Sequence, residues 1–145
     1  MLLVKRITVL PPDLGELVQQ SEAEGFAFVR RLESEWNNDS NHFDRVGEFL
    51  LAAYLNNKVV GICGLNIDPY VTDPHIARLR HLYVSPAHRS DGLGSILVRQ
   101  CLENLNPTFK KLRLRAPDRA TGKFYEKLGF VAIDDATATH VIDTD

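Results

Sequence analysis

The chain has 145 residues, of which 44% are hydrophobic and 25% are charged, and this composition is typical of one ordinary folded domain. Its formal net charge of −2 disfavours generic binding to nucleic acid. No stretch approaches the roughly 20 apolar residues of a membrane-spanning helix, and the apolar N-terminus meets Lys5 and Arg6 too soon for a signal peptide. We therefore expect one domain, residues 1–145, that works in the cytoplasm without nucleic acid or membrane partners.

The chain has two cysteines, Cys63 in a strand-like run and Cys101 on a predicted helix. Neither stands at a spacing from histidine that is typical of a metal site, and both lie among apolar neighbours. We predict that they are reduced core residues and that the protein holds no metal.

The N-terminal third predicts one strand and two helices. The strand covers residues 4–10 and ends at the two prolines that follow. Asp13 is placed to cap a first helix, and Ser21 with Glu24 forms a capping box for a second. The second helix carries an apolar stripe at helical spacing, which indicates core packing. The stripe consists of Phe26, Val29, Leu32 and Trp36.

The rest of the chain predicts a hairpin and then helices that alternate with strands. Asn56 and Asn57 separate two β-prone runs, and asparagine tolerates the left-handed backbone of a tight hairpin turn. Apolar periodicity predicts the later elements. These are a strand at 76–84, a helix after Gly94, a strand at 111–116, a helix at 118–128 and strands at 130–133 and 139–142. The order βααβββαβαββ predicts a mixed α/β fold.

Two closely spaced glycines, Gly92 and Gly94, stand between a strand and a helix. They let the backbone turn tightly and leave the amide N–H groups at the helix N-terminus open to a ligand. Such a terminus favours an anion because its free N–H groups carry about half a positive charge. Ser95 and Ile96 follow, where a nucleotide-hydrolysing loop would need Lys and Ser or Thr, and the dinucleotide fingerprint lacks its third glycine.

The spacing Arg-x-x-Gly-x-Gly at Arg89, Gly92 and Gly94, behind a Leu-Tyr-Val strand, resembles the coenzyme A loop of the GNAT acetyltransferase superfamily. The segment Phe-Tyr-Glu-Lys-Leu-Gly-Phe at residues 124–130 is similar to the motif that follows the fifth strand in that family. The resemblance covers residues 48–130, and the preceding residues agree only in the order of elements. It implies a central mixed, mostly antiparallel sheet flanked by helices.

The resemblance implies that acetyl-CoA is the acyl donor. Tyr125 would be the general acid that protonates the departing thiolate. Family members commonly have a bulge in the strand before the loop, which opens a slot for the thioester, but the residues do not decide whether one exists here. Asp118 stands where many relatives have asparagine and can still accept a hydrogen bond from the pantetheine. The residues that would bind the pyrophosphate are Arg89, Ser90, Asp91, Gly92, Leu93, Gly94 and Ser95. The residues whose backbone would pair with the pantetheine arm are Leu82, Tyr83 and Val84.

Asp91 departs from the basic or small residues that are usual at its place, and its carboxylate would repel a pyrophosphate or cap the helix itself. The reaction also needs a neutral amine, and presenting a lysine-like amine neutral at pH 7 costs about 4 to 5 kcal/mol. A proton acceptor or a chain of water molecules must therefore exist, and His81 and Glu48 are the candidate residues. Because neither cysteine has a histidine partner, we expect direct attack of the amine on the thioester.

The acceptor remains open at this point. Residues 11–48 carry nine acidic side chains against three arginines, which would attract a cationic amine if this segment borders the acceptor slot. Arg78 and Arg80 would equally allow a substrate with a carboxylate. Our first hypothesis is an N-acetyltransferase that acts on the primary amine of a small molecule, as a monomer or homodimer. The alternatives are a protein or peptide N-acetyltransferase and a non-catalytic acyl-CoA sensor.

Overall fold

The computed structural model describes residues 1–144. Its centre is a seven-stranded sheet of order β1-β2-β3-β4-β5-β7-β6, in which only β4 and β5 pair in parallel. The predicted mixed α/β fold and its order of elements are confirmed. The strands are β1 (Leu2–Ile7), β2 (Phe49–Leu55), β3 (Lys58–Ile67), β4 (Ile76–Val84), β5 (Lys111–Leu114), β6 (Val131–Ala132) and β7 (His140–Asp143). The helices are α1 (Leu14–Ala23), α2 (Phe28–Asn37), α3 (Leu93–Glu103) and α4 (Arg119–Lys127), and a 3₁₀ helix (Pro86–Asp91) precedes α3.

The first helix is longer than the sequence predicted. The Ser21 hydroxyl donates to the backbone carbonyl of Val18 at 2.8 Å, which satisfies this side chain inside α1. The helix ends before Gly25, which adopts φ +87° and supplies the left-handed residue common at helix ends. The predicted capping box of Ser21 and Glu24 is therefore wrong, and α2 begins only at Phe28.

Asp13 precedes α1 but does not cap it. Its Oδ2 instead accepts the backbone N–H of Val59 at 3.0 Å, which ties the start of α1 to β3. The first strand also differs from its predicted range, because β1 ends at Ile7 and the chain then leaves the sheet edge before the prolines. The difference at Asp13 reflects a contact between segments that are distant in sequence.

The hairpin between β2 and β3 has the predicted turn. Leu55 pairs with Lys58. The two residues between them, Asn56 and Asn57, have φ of 51° and 68°. Left-handed backbone at both central positions is the geometry that a two-residue hairpin favours, so this prediction is confirmed.

Apolar side chains pack on both faces of the sheet. On one face α3 and α4 cover the sheet, with Leu97 and Val98 fully buried. On the other face α1 and α2 cover it, with Leu17 and Val29 in the core. Strands β4 and β5, at the centre of the sheet, therefore lie between helices on both sides.

Strands β4 and β5 separate part-way along their length. They pair only over the first three residues of β4, and the last matched pair is Arg78 with Arg113. Beyond it β5 continues beside β7, while β4 from Leu79 to Val84 has no strand neighbour on this side among the described residues. The unpaired edge exposes backbone N–H and C=O groups in a wedge-shaped gap.

No helix among residues 1–144 is long and apolar enough to span a membrane.

Candidate active site

Strand β4 carries a β-bulge beside the gap. Arg80 lies opposite Gly64 and Tyr83 lies opposite Ile62, so β4 has two residues where β3 has one. The first of the two, His81, has φ +61°, a backbone conformation that is uncommon outside glycine. The extra residue reverses the alternation of side chains between the two faces. Arg80 and His81 are therefore neighbours in sequence that both contact α2.

His81 is held by the first turn of α2. Its Nδ1 lies 2.9 Å from the backbone carbonyl of Phe28, and because a carbonyl only accepts, Nδ1 carries the proton. The other ring nitrogen, Nε2, is then an acceptor, and it is buried without a hydrogen-bond partner among residues 1–144. Burial, together with the positive charges of Arg80 and Arg31, lowers the pKa of His81 to about 3. The ring is neutral at physiological pH.

A cavity of about 970 Å³ lies where β4 and β5 diverge. It brings together most of the predicted site residues, although they come from α4, β4 and the glycine loop. The predicted residues that line it are His81, Leu82, Tyr83, Val84, Arg89, Ser90, Gly92, Gly94, Ser95, Asp118 and Tyr125. Glu48, Asp91 and Leu93 do not line it.

The glycine loop turns at Gly92, which has φ +74° and stands at the N-cap position of α3. A Cβ atom placed on Gly92 would meet no atom within 4 Å, so the space in front of the helix N-terminus is open. Leu93 is 3% exposed and packs into the core below α3. The Asp91 side chain is 67% exposed and lies 3.8 Å from Nδ1 of His88. Asp91 makes no hydrogen bond to α3 in the described chain, so the amides that it was expected to cap remain available.

Arg89 forms a two-contact ion pair with Glu24, which follows α1. One guanidinium nitrogen, Nη1, lies 2.7 Å from Oε2 of Glu24, and Nη2 donates to Oε1. Nε of Arg89 also donates to the carbonyl of Val84 at 3.1 Å, and the Tyr83 hydroxyl donates to Glu24 at 2.5 Å. The Arg89 guanidinium holds the pKa of the Glu24 carboxyl below its ordinary value. The end of the cavity beside the glycine loop thus contains a charge-neutral pair.

Tyr125 is buried on α4 and is only 4% exposed. Its ring packs edge to face against Phe124 and Phe130, with centroid separations of 5.1 and 5.6 Å. Burial raises the pKa of the phenol well above its ordinary value, and the nearby Cys63 and Cys101 raise it further. The hydroxyl therefore stays protonated at neutral pH and can donate a hydrogen bond or a proton.

The two cysteines lie side by side below the cavity. Sγ of Cys101 is 3.5 Å from Sγ of Cys63, and both residues are fully buried and unoxidised. The hydrogen bond from Cys101 and the burial of the site both raise the pKa of the Cys63 thiol. A thiol held in its neutral form is a poor nucleophile. Residues 1–144 contain no group of three or more His, Cys, Asp or Glu residues that could hold a metal ion.

Asp118 is the N-cap of α4, as the sequence predicted. Its Oδ1 accepts the backbone N–H of Thr121 at 2.8 Å, and this bond lowers the pKa of the carboxyl. Asp118 also lines the cavity opposite the glycine loop. The residue thus fixes the start of the helix that carries Tyr125.

Glu48 lies in a second, smaller cavity of about 530 Å³. Its Oε2 accepts the side-chain amide of Asn66 and the backbone N–H of Ile67, and Oε1 accepts the backbone N–H of Arg45. These bonds join the loop before β2 to the end of β3. The carboxylate links these segments and does not line the cavity that holds Tyr125.

The chain matches the family described as Acetyltransferase (GNAT) family over residues 15–130. The chain belongs to the GNAT acetyltransferase family. The resemblance seen in the glycine loop and in residues 124–130 is therefore confirmed, and the match also extends over α1 and α2. Members of this family are acyltransferases, and the cavity of this GNAT chain lies beside the matched glycine loop.

Solved structures share the GNAT fold with this chain over nearly its whole length. A proposed acetyltransferase from Exiguobacterium sp. 255-15 has a TM-score of 0.88 at 26% identity, with 99% of this chain and 93% of that chain covered. The PaiA N-acetyltransferase from Thermoplasma acidophilum has a TM-score of 0.65 at 17% identity and coverage of 99% of both chains. The GNAT family N-acetyltransferase YhbS from Escherichia coli has a TM-score of 0.72 at 17% identity, with 99% of this chain and 82% of that chain covered. The last two were solved with coenzyme A.

Several cavity residues were not predicted from sequence as site residues. Glu24, Phe28 and Arg31 come from the helical segment, and they meet β4 only in the folded protein. The one available signal was Arg31, a charged residue next to the buried Leu32 of α2. This position indicates that Arg31 lies at the edge of a packed helix face. It does not indicate which strand Arg31 approaches.

Proposed function

We propose that the protein transfers the acetyl group of acetyl-CoA to the primary amine of a small molecule. The observation that supports this most strongly is that one cavity is lined by the open amides of the glycine loop, the unpaired edge of β4 and the hydroxyl-bearing Tyr125. Three separate chain segments thus supply an anion site, an extended edge and a proton donor.

The residues present fit coenzyme A. The N-terminus of α3 behind Gly92 offers uncapped amides to the pyrophosphate, and Arg89, paired with Glu24, lines the cavity beside it. The β4 edge at Leu82–Val84 offers backbone groups to the amides of the pantetheine arm in the manner of an added strand. Asp118, across the gap, remains an acceptor for a pantetheine N–H.

Acetyl-CoA supplies the acetyl group as a thioester. The amine nitrogen forms a bond to the thioester carbonyl carbon, and the carbon–sulfur bond breaks with its electron pair on sulfur. The amine loses one proton. Tyr125 gives its phenolic proton to the departing sulfur, which leaves as the thiol, and recovers a proton from solvent. The raised pKa of Tyr125 keeps this proton in place until the sulfur becomes basic. We assign Tyr125 as the general acid.

His81 is the acceptor of the amine proton in this proposal. Its Nε2 lone pair has no partner in the described chain, whereas the carboxylate of Glu48 already accepts three hydrogen bonds in another cavity. The low pKa of His81 keeps the ring unprotonated and ready to accept a hydrogen bond from the incoming amine. In the empty site it also makes the ring a weak base, so the basicity of His81 depends on what binds beside Arg80.

The amine attacks the thioester directly. Neither cysteine lines the cavity, and the raised pKa of the Cys63 thiol argues against an acetylated-cysteine step. The adjacent reduced thiols of Cys63 and Cys101 fit the reducing cytoplasm, in which we propose that the protein works.

The function is tested with purified protein, acetyl-CoA and pooled amines. We expect acetyl-CoA to raise the melting temperature by several degrees at about 100 times its Kd. We also expect the release of free CoA thiol to require an amine. Absence of both effects would contradict the proposed function.

A further inference from the structure

The cavity that holds Tyr125 is strongly cationic. The charged side chains that line it are Glu24, Arg31, Arg78, Arg80, Arg89, Arg115 and Asp118, so five arginines face two carboxylates. Glu24 is paired with Arg89, and Asp118 accepts a helix amide as an N-cap. These two carboxylates are therefore engaged elsewhere, and at the α2 end of the cavity Glu35 forms only a long ion pair of 4.0 Å with Arg80. This charge distribution disfavours a polycationic acceptor.

Two of these arginines flank His81. Arg31 lies three residues after Phe28, whose carbonyl holds the His81 ring, so both stand on neighbouring turns of α2. Arg31 is exposed, and its side chain makes no hydrogen bond or ion pair within residues 1–144. Arg80 precedes His81 at the bulge and contacts α2 on the same face. Its Nη1 donates to Oδ1 of Asn66 at 3.3 Å, and its Nη2 stands 4.0 Å from Glu35, beyond hydrogen-bond distance.

Arg78 also lines the cavity, but its guanidinium group already has partners within the protein. It donates to the carbonyl of Thr137 at 2.7 Å and lies 3.5 Å from the buried carboxylate of Asp68. Arg113 shares that same carboxylate at 3.5 Å, so one negative charge serves two buried guanidinium groups. Of the arginines whose charges act on His81, Arg31 and Arg80 consequently both have free capacity for an added anion.

Building on the proposed acetyl transfer, we propose that the acceptor is a primary amine that also carries a carboxylate, as an amino acid does. The carboxylate binds between Arg31 and Arg80, and the amine donates a hydrogen bond to Nε2 of His81. The adjacency of Arg80 and His81 at the bulge places the two recognition groups next to each other. A short separation between amine and carboxylate in the substrate matches this arrangement.

The same arrangement links substrate binding to the chemistry at His81. Burial lowers the pKa of the His81 ring most, Arg80 and Arg31 lower it as well, and the hydrogen bond to the Phe28 carbonyl raises it. A carboxylate bound to both arginines cancels their effect and makes Nε2 a stronger base. An amine without a carboxylate leaves the arginines uncompensated. The carboxylate of the substrate thus makes His81 a better acceptor for the proton of the substrate amine.

The test compares matched acids and amides as acceptors. Thiol release from acetyl-CoA is measured with glycine and glycinamide, with leucine and leucinamide, and with spermidine as a polycation. We expect kcat/KM to be at least tenfold higher for each acid than for its amide, and spermidine to be the poorest acceptor. Equal or better turnover of the amides or of spermidine would overturn the inference.

Two neighbouring arginine variants sharpen the test. Arg31→Gln removes the unpaired cation, and we expect it to reduce the acid-to-amide ratio of kcat/KM about tenfold. Arg30→Gln makes the same change one residue away, where the side chain pairs with Glu22 outside the cavity, and the ratio should not change. An unchanged ratio in Arg31→Gln would contradict the proposed subsite.

The failure of this inference is distinguishable from failure of the proposed function. If acetyl-CoA stabilises the protein and thiol is released with amides or diamines but not with the acids, acetyl transfer stands and the carboxylate subsite is wrong. If acetyl-CoA neither stabilises the protein nor releases thiol with any amine, both proposals fail.

Discussion

Nδ1 of His81 donates a 2.9 Å hydrogen bond to the backbone carbonyl of Phe28, and this contact joins the bulge of β4 to the first turn of α2. It selects the tautomer in which Nε2 is an acceptor. It also carries the ring into a buried position between two helices and the sheet. The pKa of the ring therefore differs strongly between the folded and unfolded chain.

This difference predicts an acid-dependent loss of stability. The pKa of His81 is about 3 in the folded protein and about 6.5 in an unfolded chain, so below pH 6.5 the unfolded state binds a proton that the folded state does not. The contribution of His81 to the free energy of unfolding is fully present above pH 6.5 and is lost as the pH falls toward 3. Between pH 7 and 4.5 we expect its share of the loss to be about 3 kcal/mol.

Urea unfolding at several pH values tests this prediction. His81→Asn removes the titrating ring and retains a residue that tolerates the left-handed backbone of position 81. We expect its stability to fall less steeply with acid than that of the wild type. His75→Asn, on the exposed turn before β4, should retain the wild-type slope. Equal slopes for all three proteins would show that His81 does not titrate as described.

Glu24 is expected to weaken coenzyme binding through its charge. It neutralises Arg89 at the mouth of the cavity, so Glu24→Gln should leave that cation free for the pyrophosphate. Isothermal titration with CoA should show a Kd about two- to fivefold lower at low ionic strength, with a smaller gain in high salt. Glu22→Gln, which breaks a surface pair with Arg30, is the matched control. Weaker binding in Glu24→Gln would mean that Glu24 mainly positions Arg89.

Gly92→Ala should separate backbone strain from ligand binding. Gly92 and Gly25 both have positive φ and open space at the Cβ position, with φ +74° and +87°. Alanine at either position should cost about 1 to 2 kcal/mol of stability. Only Gly92→Ala places a methyl group in the cavity, so we expect it alone to raise the Kd for CoA at least tenfold. If Gly25→Ala weakens CoA binding as much, strain rather than access controls the site.

The sequence predicted local features of the fold well. The Asn56–Asn57 turn, the N-cap at Asp118 and the turn at Gly92 depend on residues close in the chain, and each is found where it was expected. Asp13 and Ser21 are exceptions because their polar atoms have competing partners. Val59 is distant in sequence, and the Val18 carbonyl lies inside the same helix.

The candidate site was predictable only in part. The glycine loop and Tyr125 lie in segments with recognisable spacing, whereas the bulge at His81 results from a register shift between β3 and β4 that no residue type specifies. The same limit applies to Arg31, which lines the cavity only through the packing of α2 beside β4. Glu48 has the right chemistry for a base, but the neighbouring loop and Asn66 occupy its oxygens.

The most direct test of acetyl transfer by this protein is the kcat of Tyr125→Phe measured beside its Kd for CoA. The change removes the proton donor and retains the ring that packs against Phe124 and Phe130. We expect kcat to fall about 10²- to 10⁴-fold. The Kd for CoA should be unchanged, and Tyr54→Phe, outside the cavity, should match the wild type. Unchanged kcat in Tyr125→Phe would contradict the assignment of Tyr125 as the general acid.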